Sequence, residues 1–226
     1  MPSRSRIVFY GMMITMLMLV SLISTVHVSY AKKTRLFKDS FEGYATGSFP
    51  STWENWSPSG SLVLEVTSSV SYKGMKSFHL KGDFAHAGRT FTEVAITPST
   101  MVFFKVVVRI SSIGGHWDKM AAIVGFGDRY WNWITEVRFR DDGWICSRTS
   151  ECFTTWSANV WYLVEVAFDM WDADYQIKIN GVSYGWFDAF PASYVRQFAL
   201  GTGACPIAVC PFADVYFDKV KVSYTD

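Results

Sequence analysis

The segment Trp131–Arg140 carries side chains whose types and spacing are well suited to chemistry. In the alternation of a β-strand, Glu136, Arg138 and Arg140 fall on one face. Two arginines beside a carboxylate can hold the acidic groups of a ligand such as a uronic-acid polymer, because guanidinium groups make paired hydrogen bonds to carboxylates. The alternative is a solvated outer face with a cross-strand ion pair. The pattern makes these three residues candidates for ligand binding.

Tryptophan rings are a second kind of candidate, because an indole offers an apolar face and a donor edge to a pyranose ring. Trp171, flanked by Asp169, Asp172 and Asp174, is the first candidate for an exposed ring, and Trp131 is the second. The acidic residues around Trp171 also fit a solvated turn or a calcium loop. Six tryptophans lie near predicted loops and strand ends: Trp117, Trp131, Trp144, Trp156, Trp171 and Trp186. We expect four of these six to pack in the core.

Groups able to cleave a glycosidic bond are sparse. Glu165 and Asp169 share one strand face, but four residues place them roughly 13 Å apart at 3.3 Å per residue. That separation is too long for a pair of catalytic carboxylates. His79, His86 and His116 stand apart from other candidate groups, and we expect each to be structural. The sequence therefore favours binding over catalysis.

The four cysteines form two close pairs, Cys146 with Cys152 and Cys205 with Cys210. An exported protein is expected to oxidise them, and local pairing within each pair is the first choice. A bridge between the two loops stays open as an alternative. Zinc is disfavoured, because there is no CxxC spacing and no histidine cluster nearby.

The elements that must position these residues are strands. In Val160–Asp188 the apolar residues alternate with polar ones, and Asn180-Gly181 supplies the positive φ angles of a two-residue hairpin. This predicts a three-stranded meander. Similar short runs recur along the chain: Leu62–Val66, Lys76–Leu80, Phe91–Ile96, Met101–Ile110, Met120–Phe126, Trp131–Arg140, Gly143–Cys146, Val195–Leu200 and Asp214–Tyr224. About a dozen strands with almost no helix predict an all-β protein, an antiparallel sandwich or jelly roll.

The first 31 residues differ from the rest. Arg4 and Arg6 precede a long apolar run that ends in Ser29-Tyr30-Ala31, which predicts a signal peptide or an uncleaved N-terminal membrane anchor, helical in either case. Residues 32–226 are then a single domain, either secreted or tethered at the cell surface, with the membrane contacted through the leader alone. The net charge of +1 gives no electrostatic case for nucleic acid.

Both ends of residues 32–226 resemble a known superfamily. Asp39–Pro50 followed by Trp53, and Tyr72–Leu80, resemble the opening of concanavalin-A-like (laminin-G-like) jelly-roll domains in secreted polysaccharide-acting proteins. Trp161–Gly181 and Val215–Val222 resemble the penultimate hairpin and last strand of that superfamily. The resemblance implies the jelly-roll fold, but fold alone does not give an activity.

The resemblance also implies a structural calcium ion held by Glu42 and Asp218, with Asp39 as a further ligand. In an unbroken last strand, Asp218 shares its phase with Val220 and Val222 and would point to the core, where a carboxylate needs a partner. Two alternatives stay open at Asp218. Backbone amides can satisfy the carboxylate, or a local bulge can turn it outward.

The function expected from the sequence is binding of a polysaccharide or a cell-surface glycan, without catalysis. The alternatives are a polysaccharide lyase or glycoside hydrolase on the same fold, and a structural envelope or adhesion module. The sequence lacks the Glu-x-Asp-x-x-Glu run of the glucanase branch and the arginine, glutamine-histidine and tyrosine-lysine signatures of the alginate lyase branch.

Overall fold

The structure is a computed structural model that describes residues 32–57, 63–82, 85–95, 97–113, 120–127, 132–202 and 213–225. Several predictions fall on the other residues and lie outside the described part: the leader of residues 1–31, Trp117, Trp131, His116, Cys205 and Cys210. Among the residues described, no helix has the length and apolar character needed to cross a membrane.

The described residues form fifteen strands. These are β1 Thr34–Asp39, β2 Glu54–Asn55, β3 Val63–Thr67, β4 Ser77–Gly82, β5 His86–Ala95, β6 Met101–Ile113, β7 Met120–Gly127, β8 Trp133–Arg140, β9 Trp144–Ser147, β10 Cys152–Thr155, β11 Trp161–Asp169, β12 Asp174–Ile179, β13 Val182–Asp188, β14 Tyr194–Thr202 and β15 Ala213–Thr225. Strands β1, β2 and β10 were not among the predicted runs.

The strands pair into two antiparallel sheets. Sheet A has the order β13-β12-β11-β6-β15-β4-β3, with β1 paired to the second half of β15, and sheet B has the order β10-β9-β8-β7-β14-β5-β2. One core cluster takes residues from both sheets, so each sheet has an inner face and an outer face. The predicted all-β antiparallel sandwich is confirmed.

The core follows the period-two patterns seen in the sequence. In β6 one face is buried throughout, and its residues are Val102, Phe104, Val106, Val108 and Ile110. Phe104 packs against Phe126 of β7 and Phe198 of β14, with both ring centroids 5.1 Å away. These contacts between rings join the two sheets.

The predicted meander is confirmed as β11, β12 and β13. Asn180 and Gly181 connect the last two strands with φ angles of 52° and 84°. Positive φ at both positions is the geometry of a type I′ hairpin turn. Asn180 also accepts a 2.8 Å hydrogen bond from the Leu163 amide through its side-chain oxygen, which anchors the turn to β11.

A bulge changes the last strand from the predicted continuous alternation. The pairing of β15 with β6 shifts between Asp218 and Lys221, and Lys219 has a φ of 52°. Phe217 and Val220 therefore both face the core, while Asp218 lies on the outer face, where it is nonetheless fully buried. One extra residue reverses the phase, so the strand is not unbroken and the bulge left open as an alternative turns Asp218 outward.

Candidate functional site

The outer face of sheet B has a floor of small residues between polar side chains. Gly88, Ala199 and Gly125 lie directly opposite one another on β5, β14 and β7, and this row continues to Glu54 at one end and Glu136 at the other. Four strand spacings separate the two glutamates, about 19 Å at 4.8 Å per strand. The face therefore has a broad, low centre.

Three rings cover this floor. Atoms of Trp56 occupy the space where a Cβ of Gly88 would lie, and atoms of His86 occupy the corresponding space above Gly201. The Trp133 ring lies 3.2 Å from the Cβ position of Gly125. The His86 and Trp133 rings meet edge to face, with centroids 6.1 Å apart. Larger residues at the glycine positions would displace these rings.

A bulge places Trp133 on this face. Gly127 pairs with Trp133, Phe126 pairs with Thr135, and Ile134 is the extra residue, which packs in the core. Simple alternation put Trp133 and Glu136 on opposite faces of β8, and the bulge brings both to the outer face.

Glu136 is the centre of an arginine cluster, which we define as Glu136, Arg138 and Arg148. The Glu136 side chain is 6% exposed, and its Oε2 accepts a hydrogen bond from Nε of Arg138. Nε of Arg148 lies 4.0 Å from the other carboxylate oxygen. Burial raises the pKa of the Glu136 carboxyl, although both arginines act to lower it. With two guanidinium groups for one carboxylate, the cluster carries an excess positive charge.

Arg148 was not predicted from the sequence. It follows β9, and its position is set by the Tyr175 hydroxyl, which accepts a 2.7 Å hydrogen bond from the Arg148 amide, and by the Trp133 carbonyl, which accepts one from Nε. The Tyr175 hydroxyl in turn donates to the Glu136 carbonyl. A residue outside the strand alternation, held by a tyrosine of the other sheet, leaves no periodic signal in the sequence.

Arg140, the third residue of the predicted fork, points to a different partner. One of its terminal nitrogens lies 2.8 Å from Asp142 in the following turn. The structure therefore brings Arg138 to Glu136 and pairs Arg140 with Asp142.

Gln197 is a second residue that sequence reasoning missed. It lies on β14 opposite Thr90 and Gly127, and its side chain is 8% exposed. Among the described residues, its Oε1 has no hydrogen-bond partner. A buried amide oxygen without a donor is costly, so this position fits a donor supplied by a ligand or by water.

The histidines divide between the two sheets. His86 lies on the sheet B outer face, where its Nε2 is 2.9 Å from the Thr202 carbonyl oxygen and burial lowers its pKa. His79 lies on sheet A, paired with Asp214 at 2.7 Å and stacked on Tyr216. His79 belongs to a structural ladder, whereas His86 belongs to the candidate site.

Trp171 is 59% exposed, in the turn between β11 and β12. Its amide donates to Asp169, which orders the turn. The turn belongs to sheet A, whereas the arginine cluster belongs to sheet B. The structure therefore exposes the predicted ring without including it in the row that joins Glu54 and Glu136.

Glu42 and Asp218 hold one loop, residues 72–76, through backbone amides. Oε1 of Glu42 accepts hydrogen bonds from the amides of Met75 and Lys76 at 3.0 and 3.2 Å. Oδ2 of Asp218 accepts from the amides of Tyr72 and Lys73 at 3.3 and 3.2 Å. The loop covers Asp218, and burial raises the pKa of this carboxyl.

The donor set around this loop does not fit a calcium site as arranged. The ammonium of Lys76 already occupies the carbonyls of Glu42 and Tyr44, at 3.3 and 2.6 Å. Asp39 is engaged elsewhere, with Trp53 Nε1 at 2.8 Å. Among the described residues, no three acidic, histidine or cysteine side chains form a group that could hold a metal. Amide donors account for the buried carboxylates, and we derive no step through calcium.

A disulfide joins Cys146 and Cys152, the local pairing predicted from the sequence. It links β9 to the edge strand β10, and Cys146 pairs in register with Arg138. The bridge therefore closes the edge of sheet B beside the arginine cluster.

Comparison with known proteins gives a likeness of fold. No protein-family model and no curated protein matches the chain. A sialidase structure superposes with a TM-score of 0.64 at 15% identity, covering 84% of this chain but 18% of the sialidase. An endo-β-1,4-glucuronan lyase from the fungus Trichoderma reesei gives 0.62 at 15% identity, covering 84% and 95%. The cellulose-induced protein Cip1 gives 0.57 at 13%, covering 82% and 96%. At these identities the likeness is one of fold alone, and the fold that the chain shares with these proteins is an antiparallel β-sandwich.

Proposed function

We propose that the protein binds an acidic polysaccharide on the outer face of sheet B. The observation that carries this proposal is the arginine cluster at the end of the small-residue floor. Arg138 and Arg148 have 25% and 31% of their side chains exposed, so both remain accessible while Glu136 holds Arg138 in place. Guanidinium groups ordered in this way suit the carboxylates of a uronic-acid polymer.

The remaining groups of the face fit a sugar chain. Trp56 and Trp133 are partly exposed and offer apolar ring surface to pyranose units. Gln197 offers a buried amide oxygen as acceptor for a sugar hydroxyl. The glucuronan lyase with the same fold is named for a polymer of this acidic class, which supports the proposal.

The test is a titration of the full chain with polyglucuronate oligomers, compared with neutral glucan oligomers of equal length. We expect binding of the acidic oligomers, and a ten- to hundred-fold weaker affinity in Arg138→Gln/Arg148→Gln, because charged hydrogen bonds contribute about 1.5–3 kcal/mol. Lys73→Gln/Lys81→Gln, which removes the same charge from two exposed lysines outside the arginine cluster, is the matched control. Equal affinity for neutral and acidic oligomers would contradict the proposal. If neither kind of oligomer bound, a structural module would be favoured.

A polysaccharide lyase is the second candidate, because His86 lies on the same face and burial lowers its pKa, which favours the neutral form of the ring that a general base needs. The distance argues against it. His86, Gly201, Ile123 and Arg138 form one cross-strand row, so three strand spacings, about 14 Å, separate His86 from Arg138. That span favours binding. Unsaturated chain ends that appear with the wild type and disappear in His86→Gln would instead establish the lyase.

A further inference from the structure

The outer face of sheet A carries a ladder of lysines on the side of the molecule opposite the arginine cluster. Lys221, Lys105, Glu165 and Lys178 lie directly opposite one another on β15, β6, β11 and β12, and Lys38 of β1 extends the row beyond Lys221. Five strands at about 4.8 Å spacing give a row about 19 Å long. The charges therefore run across the strands in a line.

Beside the ladder is a groove with a volume of about 370 Å³, which we call the lysine groove. Its floor comes from the next row of the sheet, with Ser223, Phe103 and Ala167 in register. The ammonium of Lys33 lies 3.5 Å from the centroid of the Phe103 ring. An apolar, shallow floor under a line of cations is a shape that fits an extended anionic chain.

The lysine groove concentrates positive charge far beyond the average of the chain. Four lysines (Lys33, Lys105, Lys178 and Lys221) and one glutamate line it, a net charge of +3, whereas the whole chain has a net charge of +1. Glu165 neutralises Lys105 at 2.6 Å. Burial, followed by repulsion from Lys221, lowers the pKa of the Lys33 ammonium.

Such an arrangement is unfavourable for the isolated protein. Lys38 and Lys221 stand directly opposite each other, and like charges in that position destabilise a sheet. An anion bound between them would remove the repulsion, and a polymer would do so at several positions at once. The ladder is therefore suited to an external polyanion.

The residues beside the ladder favour a sugar polymer as the polyanion. In the row of Phe103 and Ala167, the next positions are Gln176 and Trp186, and the Trp186 ring is 51% exposed. A hydrogen-bonding amide beside an exposed indole suits a pyranose. The following row is acidic, with Asp169 opposite Asp174, so it repels an anionic chain and confines it to the line of the lysines.

We propose that the lysine groove is a second binding site for an acidic polysaccharide, separate from the arginine cluster and on the opposite sheet. The lysines hold the acidic groups along the ladder, and Trp186 contacts a sugar ring at its end. Two such sites on opposite faces allow one protein to hold two polymer chains, or two segments of one chain.

The test uses the full chain and polyglucuronate as the probe. Lys178→Gln/Lys221→Gln removes two charges and leaves the Lys105–Glu165 pair intact, so the variant should fold and melt no lower than the wild type. Lys73→Gln/Lys81→Gln removes the same charge outside the groove and is the matched control. We expect the first variant to bind at least ten-fold more weakly in the Arg138→Gln/Arg148→Gln background, with a smaller dependence on salt, and the control to bind as its parent does.

The experiment can reject the two binding-site proposals independently of each other. If Lys178→Gln/Lys221→Gln binds the polymer as the control does, the lysine-groove proposal is wrong while the arginine-cluster proposal stands. If instead the lysine variant alone abolishes binding and the arginine variant has no effect, the lysine groove stands and the arginine-cluster proposal is wrong. The lysine-groove proposal would also be wrong if Lys178→Gln/Lys221→Gln bound the polymer as before but no longer bound phosphatidylserine vesicles. The same conclusion would follow if this variant bound the polymer as before but lost a salt-sensitive dimer.

Discussion

Burial of the ionised Glu136 carboxylate costs free energy, and its two arginines offset only part of that cost. A carboxyl whose pKa is higher in the folded than in the unfolded protein binds its proton more tightly when folded, so folding stability falls as pH rises from the ordinary value of 4.5 through the raised pKa. Glu136→Gln has no such titration. We therefore expect the melting temperature of the wild type, relative to this variant, to fall as pH is raised from 4.5 towards 7.

The control for this pH profile is Thr90→Ser, which changes a residue on the same face without removing a titratable group. Its melting temperature should run parallel to that of the wild type over the same range. A wild-type curve that rises relative to Glu136→Gln would show that the arginines outweigh burial, and that the pKa is lowered.

At Asp218 the prediction concerns backbone amides. Truncation in Asp218→Ala leaves the amides of Tyr72, Lys73 and Lys219 without their acceptor, which costs about 1–3 kcal/mol for a buried group. Asp218→Asn keeps one acceptor oxygen and should lose less. Denaturant unfolding measures the loss in the free energy of unfolding. Comparing calcium with chelator shows whether that loss comes from the amide hydrogen bonds or from a bound metal. We expect the same values in the two media, and calcium-dependent stability in the wild type alone would establish the metal site at Glu42 and Asp218.

At the scale of elements, the β8 bulge depends on a single glycine. A Cβ on Gly125 would lie 1.8 Å from the Thr135 carbonyl oxygen, so the two strands approach too closely for any side chain there. Gly125→Ala should lower the free energy of unfolding by about 1–3 kcal/mol and weaken polymer binding, because Trp133 must shift. Gly127→Ala meets its nearest atom at 3.4 Å and serves as the control on the same strand. Equal stability of the two variants would contradict the close approach.

The bulges also show what the sequence could predict about the elements. Alternation was sufficient for β6 and β11, whose buried faces are continuous, and Asn180-Gly181 was sufficient for the hairpin. An extra residue reverses the phase without a signal in composition, so simple alternation does not give the faces of Trp133 and Asp218. Arg148 and Gln197 joined the site through contacts between strands distant in sequence, which local patterns do not encode.

At the scale of the whole molecule, the two proposed sites place cations on both outer faces of the sandwich, although the chain is nearly neutral. The rest of the surface must therefore be balanced or acidic, as the row of Asp169, Asp174 and Asp188 shows. This distribution predicts strong coupling between stability and acidic polymers. A ligand that binds only the folded state at one hundred times its Kd stabilises it by about 2.7 kcal/mol.

For a domain of this size, that stabilisation raises the melting temperature by about 5–10 °C. We expect this shift with polyglucuronate at low salt, a smaller shift at high salt because the charges are screened, and none with neutral glucan. Arg138→Gln/Arg148→Gln and Lys178→Gln/Lys221→Gln should each retain part of the shift, and the fourfold variant should lose it. A shift that survives in the fourfold variant would place the polymer on a third surface, because no cation of either proposed site except Lys33, Lys38 and the paired Lys105 would remain to hold it.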